Sequence, residues 1–256
     1  MNDSFHTASF AFEYLESEIE NTVLWESHCH SQYELIAVVE GRIGIMIEGR
    51  SYSLSASQAV IIPPLSYHTV TASKKGVYKR VTVLFARAAI PSVLASRFTK
   101  DGFVTPLFRS ARLDELRKIC QSEDIELYAP LAESLMIQTL YECIEAESAG
   151  MMTEVDELLH QIISYVDSHL GEKIRLEDLA VHTARSQSSI CHLFREQMKI
   201  SPKQYILQKK LALAATLIRD GTPPTVAAMR IGYDNYSDFY RIYLKHVQKT
   251  PSKDKI

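Results

Sequence analysis

The 256-residue chain lacks any apolar run near the ~18–20 residues that a membrane span requires. Its first twenty residues, MNDSFHTASFAFEYLESEIE, are acidic and show no basic stretch followed by an apolar one, so no secretory signal is expected. Cysteine is scarce: Cys29, Cys120, Cys143 and Cys191 are scattered, with no CxxC pair. That spacing argues against a disulfide framework or a zinc finger, and for reduced thiols in the cytoplasm. Basic charge is in deficit too, with 28 Lys and Arg against 31 Asp and Glu. The deficit is unevenly spread. Residues 1–170 hold 13 basic and 23 acidic side chains, a net of −10, whereas residues 171–256 hold 15 and 8, a net of +7. A basic end on an acidic protein predicts that this end meets a polyanion.

What is present fits a soluble globular chain, 46% apolar and 23% charged, long enough for two domains of roughly 100–200 residues. From about residue 22 to 86 the segments YELIAVVEG, RIGIMIEGRSYSL, QAVIIPP and YKRVTVLFA are rich in Val, Ile, Tyr and Thr and read as short strands. Gly41, Gly44 and Gly49 supply turn positions, with Glu48-Gly49-Arg50 at a hairpin tip. Short strands at close spacing predict an antiparallel barrel or sandwich. After about residue 90 the period becomes helical. ARLDELRKICQS and YAPLAESLMIQTLYECIEAE carry apolar residues at helical spacing, with Leu131, Leu135, Ile137 or Gln138 and Leu140 along one side. A small-residue break at 147–154 is the expected domain boundary.

The C-terminal part repeats itself. Shifted by 49 positions, SQSSICHLFREQMKISP (186–202) lies over NYSDFYRIYLKHVQKTP (235–251). Ile190, Leu193 and Phe194 in one copy, and Phe239, Ile242 and Tyr243 in the other, follow i, i+3, i+4 spacing, so each copy is a helix with one buried stripe. Each ends on Ser-Pro or Thr-Pro, where the hydroxyl residue can cap a new helix and proline can occupy its first turn. Ahead of each lie a short helix and a break, and Gly232 makes the second break cheap. Short helix, tight turn, longer helix is helix-turn-helix, present twice.

These residues resemble the AraC/XylS family of bacterial transcription regulators. The resemblance spans about 155–251 and is most specific in IGYDNYSDFYRIYLKHVQKTP, through Gly232, Tyr233, Ser237, Phe239, Arg241 and Thr250-Pro251. The glycine usual before each S/T-P is Lys199 in the first copy and Gln248 in the second. Upstream, HCHSQYELIAVVEG (28–41) is similar to the first cupin motif, and SQAVIIPPLSYH to the second, with Ser57 and Leu65 where glycines are usual. The resemblance implies an α+β protein: a cupin-like antiparallel β-barrel over 1–110 that senses an effector, a helical linker or dimerisation segment over 111–148, and an all-α domain with two helix-turn-helix units over 155–256. Implied partners are double-stranded promoter DNA, a small-molecule effector (a sugar by family precedent), a second copy of the chain, and RNA polymerase. No membrane partner is expected.

In helix-turn-helix proteins the second helix enters the major groove and its early exposed side chains meet base edges. Removing the buried stripe leaves Gln187, Ser188, Cys191, His192 and Arg195 on the first such helix, and Tyr236, Ser237, Tyr240 and Arg241 on the second. Arg241 is the foremost candidate for base reading, because its planar fork can grip guanine O6 and N7 together. Lys203, Lys210 and Lys245 are expected to touch phosphates or to be solvated. A connecting helix over about 202–218, ~25 Å long at 1.5 Å per residue, would set the two reading helices in successive grooves about 10 base pairs apart.

His28, His30, Glu34 and His68 form the candidate effector site. Three imidazoles and a carboxylate also suit a divalent transition metal, and residues 28 and 30 point the same way on a strand. The bland reading leaves them as polar groups at the barrel mouth, bonded to one another or to an effector, with no cofactor and no catalysis. Two rivals stand beside the regulator: a cupin-type metal enzyme (isomerase or dioxygenase) with an accessory helical domain, and a sensor that recruits another protein through its helices.

Overall fold

The computed structural model of the chain describes residues 2–7, 9–25, 27–72, 75–97, 108–110, 112–122, 124–145 and 156–254. The expected boundary at 147–154 lies outside them. The described residues contain ten strands: β1 (Asn2–His6), β2 (Phe10–Ile19), β3 (Val23–Leu24), β4 (Tyr33–Glu40), β5 (Arg42–Ile47), β6 (Arg50–Ser55), β7 (Gln58–Ile62), β8 (His68–Ala72), β9 (Gly76–Phe85) and β10 (Phe108–Arg109). They form two antiparallel sheets, β1-β2-β9-β4-β7-β10 and β3-β8-β5-β6. Hydrogen bonding therefore yields two facing sheets, and among the described residues it does not close into a ring.

Side-chain alternation explains the layering. On β4, Ile36 and Val38 meet Ile43, Ile45, Leu54 and Val70 of the smaller sheet, while Leu35 and Ala37 turn to the opposite face. There they pack under Leu116 of α2 (Leu113–Cys120) and Leu135, Met136 and Leu140 of α3 (Ile125–Glu145). A strand covered on both faces reads as an unbroken apolar run, which is why LIAVV lacks polar alternation. The buried side of α3 runs through Ala132, Leu135, Met136, Leu140 and Cys143, so Leu131 and Gln138, expected along that stripe, are exposed instead. A short helix, α1 (Ser92–Arg97), follows β9.

The helical part comprises α4 (Glu157–Ser168), α5 (Leu176–Thr183), α6 (Gln187–Gln197), α7 (Pro202–Arg219), α8 (Pro224–Arg230) and α9 (Tyr236–Val247). Helices α5–α6 and α8–α9 are the two helix-turn-helix units. Ser186 and Asn235 cap α6 and α9, accepting from Ser189 N at 3.2 Å and Ser237 N at 2.8 Å. Ser201 caps α7 in a reciprocal box with Gln204, and Pro202 sits in its first turn as expected. After α9, Pro251–Asp254 forms a turn where the repeat predicted a new helix. The repeat also slips by one residue. The bonds Arg185 N to Ala180 O and Tyr233 N to Ala228 O, 3.1 and 3.0 Å, are 48 residues apart, whereas the caps are 49 apart. The second turn thus holds one residue more than the first.

All four residues standing where glycine is usual adopt positive φ: Ser57 and Leu65 at 65°, Lys199 at 59° and Gln248 at 58°. The backbone is left-handed at these positions without glycine. Among the described residues, no helix is long and apolar enough to cross a membrane.

Candidate nucleic-acid interface and sensor cluster

On α6, Ile190 and Phe194 are buried against α4 and α7 residues, which leaves Gln187, Ser188, His192 and Arg195 exposed and Cys191 half-exposed. On α9, Phe239 and Tyr243 are buried, and Tyr236, Ser237, Tyr240 and Arg241 face outward. Lys203 and Lys245 are exposed as well. The expected contact face is therefore solvent-facing on both helices. Several of its members hold light local bonds: Gln187 donates to Glu177 at 3.2 Å, His192 lies 3.3 Å from Glu196, and Arg241 donates to Asp238 at 2.8 Å. Exposed pairs of this kind contribute about 0–1 kcal/mol and yield readily to a stronger partner. Lys203 and Arg241 come together, with Lys173, along one groove between the two units.

Lys210 departs from expectation. It is buried, and its ammonium donates to the carbonyls of Glu172 and Ile231, the latter at 2.7 Å. Burial holds its pKa below the ordinary lysine value, against the pull of Glu172. It is a buried strut between the two units, not a solvated side chain. Gly232 completes the contact: at φ 79°, a Cβ there would stand 2.9 Å from the Glu172 carbonyl and 3.2 Å from Lys210 Nζ.

The other predicted residues converge where the two sheets meet at one end. His28 bridges His68 through paired backbone hydrogen bonds of 3.1 and 3.0 Å. Glu34 shares the intersheet face of β4 with Ile36 and Val38, and one ligand atom from each of His28, His30, Glu34 and His68 lies within 4.8 Å of the others. Nε2 of His30 and Nε2 of His68 approach the same Glu34 Oε2, at 2.9 and 3.0 Å. The Nδ1 atoms of both rings face backbone carbonyls, of Gln32 at 2.8 Å and Ser66 at 2.9 Å. A neutral imidazole with its proton on Nδ1 presents a bare lone pair at Nε2, so both rings would then aim lone pairs at a carboxylate. That arrangement calls for a cation, either protons on the rings or a metal ion among them. Backbone carbonyls on the far nitrogens are the usual support for metal-ligating histidines. Buried His68 Nε2 also lacks an aligned hydrogen bond, although it lies in ion-pair range.

The electrostatics agree. Burial alone would push the Glu34 carboxyl up, but the His30 and His68 rings beside it outweigh this and hold Glu34 well below the carboxylate range. Burial likewise pulls His68 down, and Glu34 more than reverses this, leaving it above the ordinary histidine value.

Sequence reasoning missed a set of side chains joining the sheets to the helices, Glu48, Tyr67, Tyr205, Lys209 and Arg219 among them. Their one legible signal was a glutamate at a hairpin tip, where asparagine or glycine is favoured.

A family model described as an AraC-like ligand binding domain matches residues 9–163, and one described as a helix-turn-helix domain matches 179–255. The probable transcriptional regulator LumQ of Photobacterium leiognathi is 25% identical over 230 residues, 88% of this chain and 90% of that one. The HTH-type transcriptional regulator YdiP of Escherichia coli is 34% identical over 98 residues, 38% of this chain, and the match spans only 32% of that relative. Among solved structures, ToxT from Vibrio cholerae is 13% identical with a TM-score of 0.43, over 96% of this chain and 97% of that one. The matching families and relatives are regulators, not enzymes.

Proposed function

We infer that this chain, which belongs to the AraC family of transcription regulators, senses its effector at His28, His30, Glu34 and His68 and reads promoter DNA with α6 and α9 in successive major grooves. The carrying observation is the paired helix-turn-helix units. Both present their predicted reading side chains to solvent, in the one strongly basic part of the chain. The donor set of the cluster fits a divalent transition ion, which would neutralise Glu34 and accept the imidazole lone pairs. An organic effector, a sugar among them, would meet the same donors. The exposed face of α3, through Leu127, Leu131 and Tyr141, is the proposed seat of a second copy, making a homodimer that works in the cytoplasm beside RNA polymerase.

The test is selection from a random-sequence DNA pool at moderate salt. The expected product is a site with two short elements about one helical turn apart, lost with Arg241→Ala. Failure to enrich any site, with and without Ni²⁺ and at low salt, would sink the two-groove reading.

A further inference from the structure

Two of the three segments that build the histidine–glutamate cluster face two ways. His28 and His30 turn to Glu34 and His68. Cys29 packs instead into the core of the first helix-turn-helix unit, and Ser31 accepts a hydrogen bond from Arg219 at the end of α7. Beside His68, Tyr67 is buried in that same helical core, edge-on to Tyr205 of α7 with ring centres 5.8 Å apart. Successive residues of an extended chain point to opposite sides, so cluster and helices share one strip of backbone.

The β5–β6 turn adds a second grip. Glu48 Oε1 accepts from Lys209 Nζ and from the Tyr67 backbone N–H, each at 2.8 Å, and Oε2 accepts from Tyr205 Oη at 2.7 Å. Lys209, itself buried, also reaches Asp167 at 2.8 Å. Gly49 lies so close to α4 that a Cβ would stand 2.5 Å from Leu159 Cδ2. Glu48 holds a φ of 47°, a left-handed geometry that belongs to the β5–β6 turn.

We propose that this junction is a latch that reads the cluster: a ligand filling the cluster draws the 28–31 and 66–68 segments inward, loosens their hold on α7 and frees the DNA-binding domain. The proposal rests on the reading of the cluster as the effector site. Two donors on one ion at about 2.1 Å each lie no more than about 4.2 Å apart. The four donors now span up to 4.8 Å, so at least one of them must move inward by a few tenths of an ångström to close on an ion. Packed interfaces do not stretch with such a shift; they hold or release. By linkage, opening the latch by mutation raises affinity at the cluster.

Cys29 supplies the readout, because it is partly buried against the core of the first helix-turn-helix unit and opening of the junction would uncover it. The untagged full chain is treated with N-ethylmaleimide, with and without Ni²⁺. Peptide mass spectrometry locates the adduct, and half-exposed Cys191 serves as internal standard. Saturating Ni²⁺, its occupancy fixed by calorimetry, is expected to speed Cys29 modification at least ten-fold. Glu48→Ala is expected to do the same without Ni²⁺ and to raise Ni²⁺ affinity at least three-fold; if it does not fold, Lys209→Met opens the junction from the other side. Bound Ni²⁺ with an unchanged or slower Cys29 rate overturns the latch, as does unchanged Ni²⁺ affinity in the opened variant. If Ni²⁺ does not bind, the ion reading fails on its own and Glu34→Gln decides the latch. That variant cuts the links to His30 and His68, and a wild-type Cys29 rate in it overturns the proposal.

Discussion

Replacing Lys210 by Met tests whether the spacing between the two units is built into the helical domain. Its ammonium bridges the Glu172 and Ile231 carbonyls, one before α5 and one at the end of α8. Losing it leaves the buried Ile231 carbonyl unpaired at about 1–3 kcal/mol, and the half-buried Glu172 carbonyl unpaired at less. Relief of the buried charge returns part of this, for a net loss of about 1–3 kcal/mol. Two probes separate the domains in urea. Trp25, the only tryptophan, reports the sheets by fluorescence, and circular dichroism at 222 nm follows mainly the helices. The helical transition should move to lower urea while the Trp25 transition stays. In DNA selection the variant should still enrich both elements but accept a spread of spacings between them. A wild-type helical transition together with the wild-type spacing would refute the strut, and a fall in stability with the spacing unchanged would reduce it to a packing residue.

Lys199→Gly and Gln248→Gly should each stabilise the helical domain by about 0.5–1 kcal/mol. The left-handed conformation costs a side chain about 1–2 kcal/mol, and glycine's extra unfolded-state entropy returns part of that; a downward shift in the urea midpoint of either variant would contradict the reasoning. Arg241→Lys keeps the charge but loses the fork, and should cost about 1–3 kcal/mol at a guanine-containing element while relaxing specificity there. Lys203→Ala should instead weaken binding evenly across sequences and reduce the slope of log affinity against log salt by about 1, so a base-specific loss would reassign it. Leu131→Glu on the exposed face of α3 should convert a dimer to a monomer in analytical ultracentrifugation without lowering stability, and an unchanged mass would move the dimer contact elsewhere.

Much of the site was legible because its signals are local. The i, i+3, i+4 stripes and the Ser-Pro after α6 depend only on neighbours a few residues away, and Ile190, Phe194, Phe239 and Tyr243 are buried and Ser201 caps α7 as expected, whereas His28 and His30 lie ahead of β4 rather than on a strand. Where glycine was missing, the departure was legible but its meaning was not. Ser57, Leu65, Lys199 and Gln248 could have marked altered turns, and instead each carries the left-handed backbone itself. The face of α3 misled for a different reason. Leu131 and Leu135 are equally apolar in sequence, and only the position of the sheet decides that one is exposed and the other buried.

By itself, the sequence determined an antiparallel β-rich part followed by helices, two repeated helix-turn-helix units, which of their side chains stay exposed, and the four donors of the cluster. Period, caps and motif spacing are properties of short stretches of chain. Tertiary structure decided what Lys210, Glu48 and Lys209 do. Each is a charged residue whose sequence context reads as solvent-exposed, and each finds its partners on segments 19 to 161 residues away. No local pattern encodes such a pairing. A buried charge is tolerable only where distant backbone carbonyls or an opposite charge meet it, and the fold alone brings those groups together.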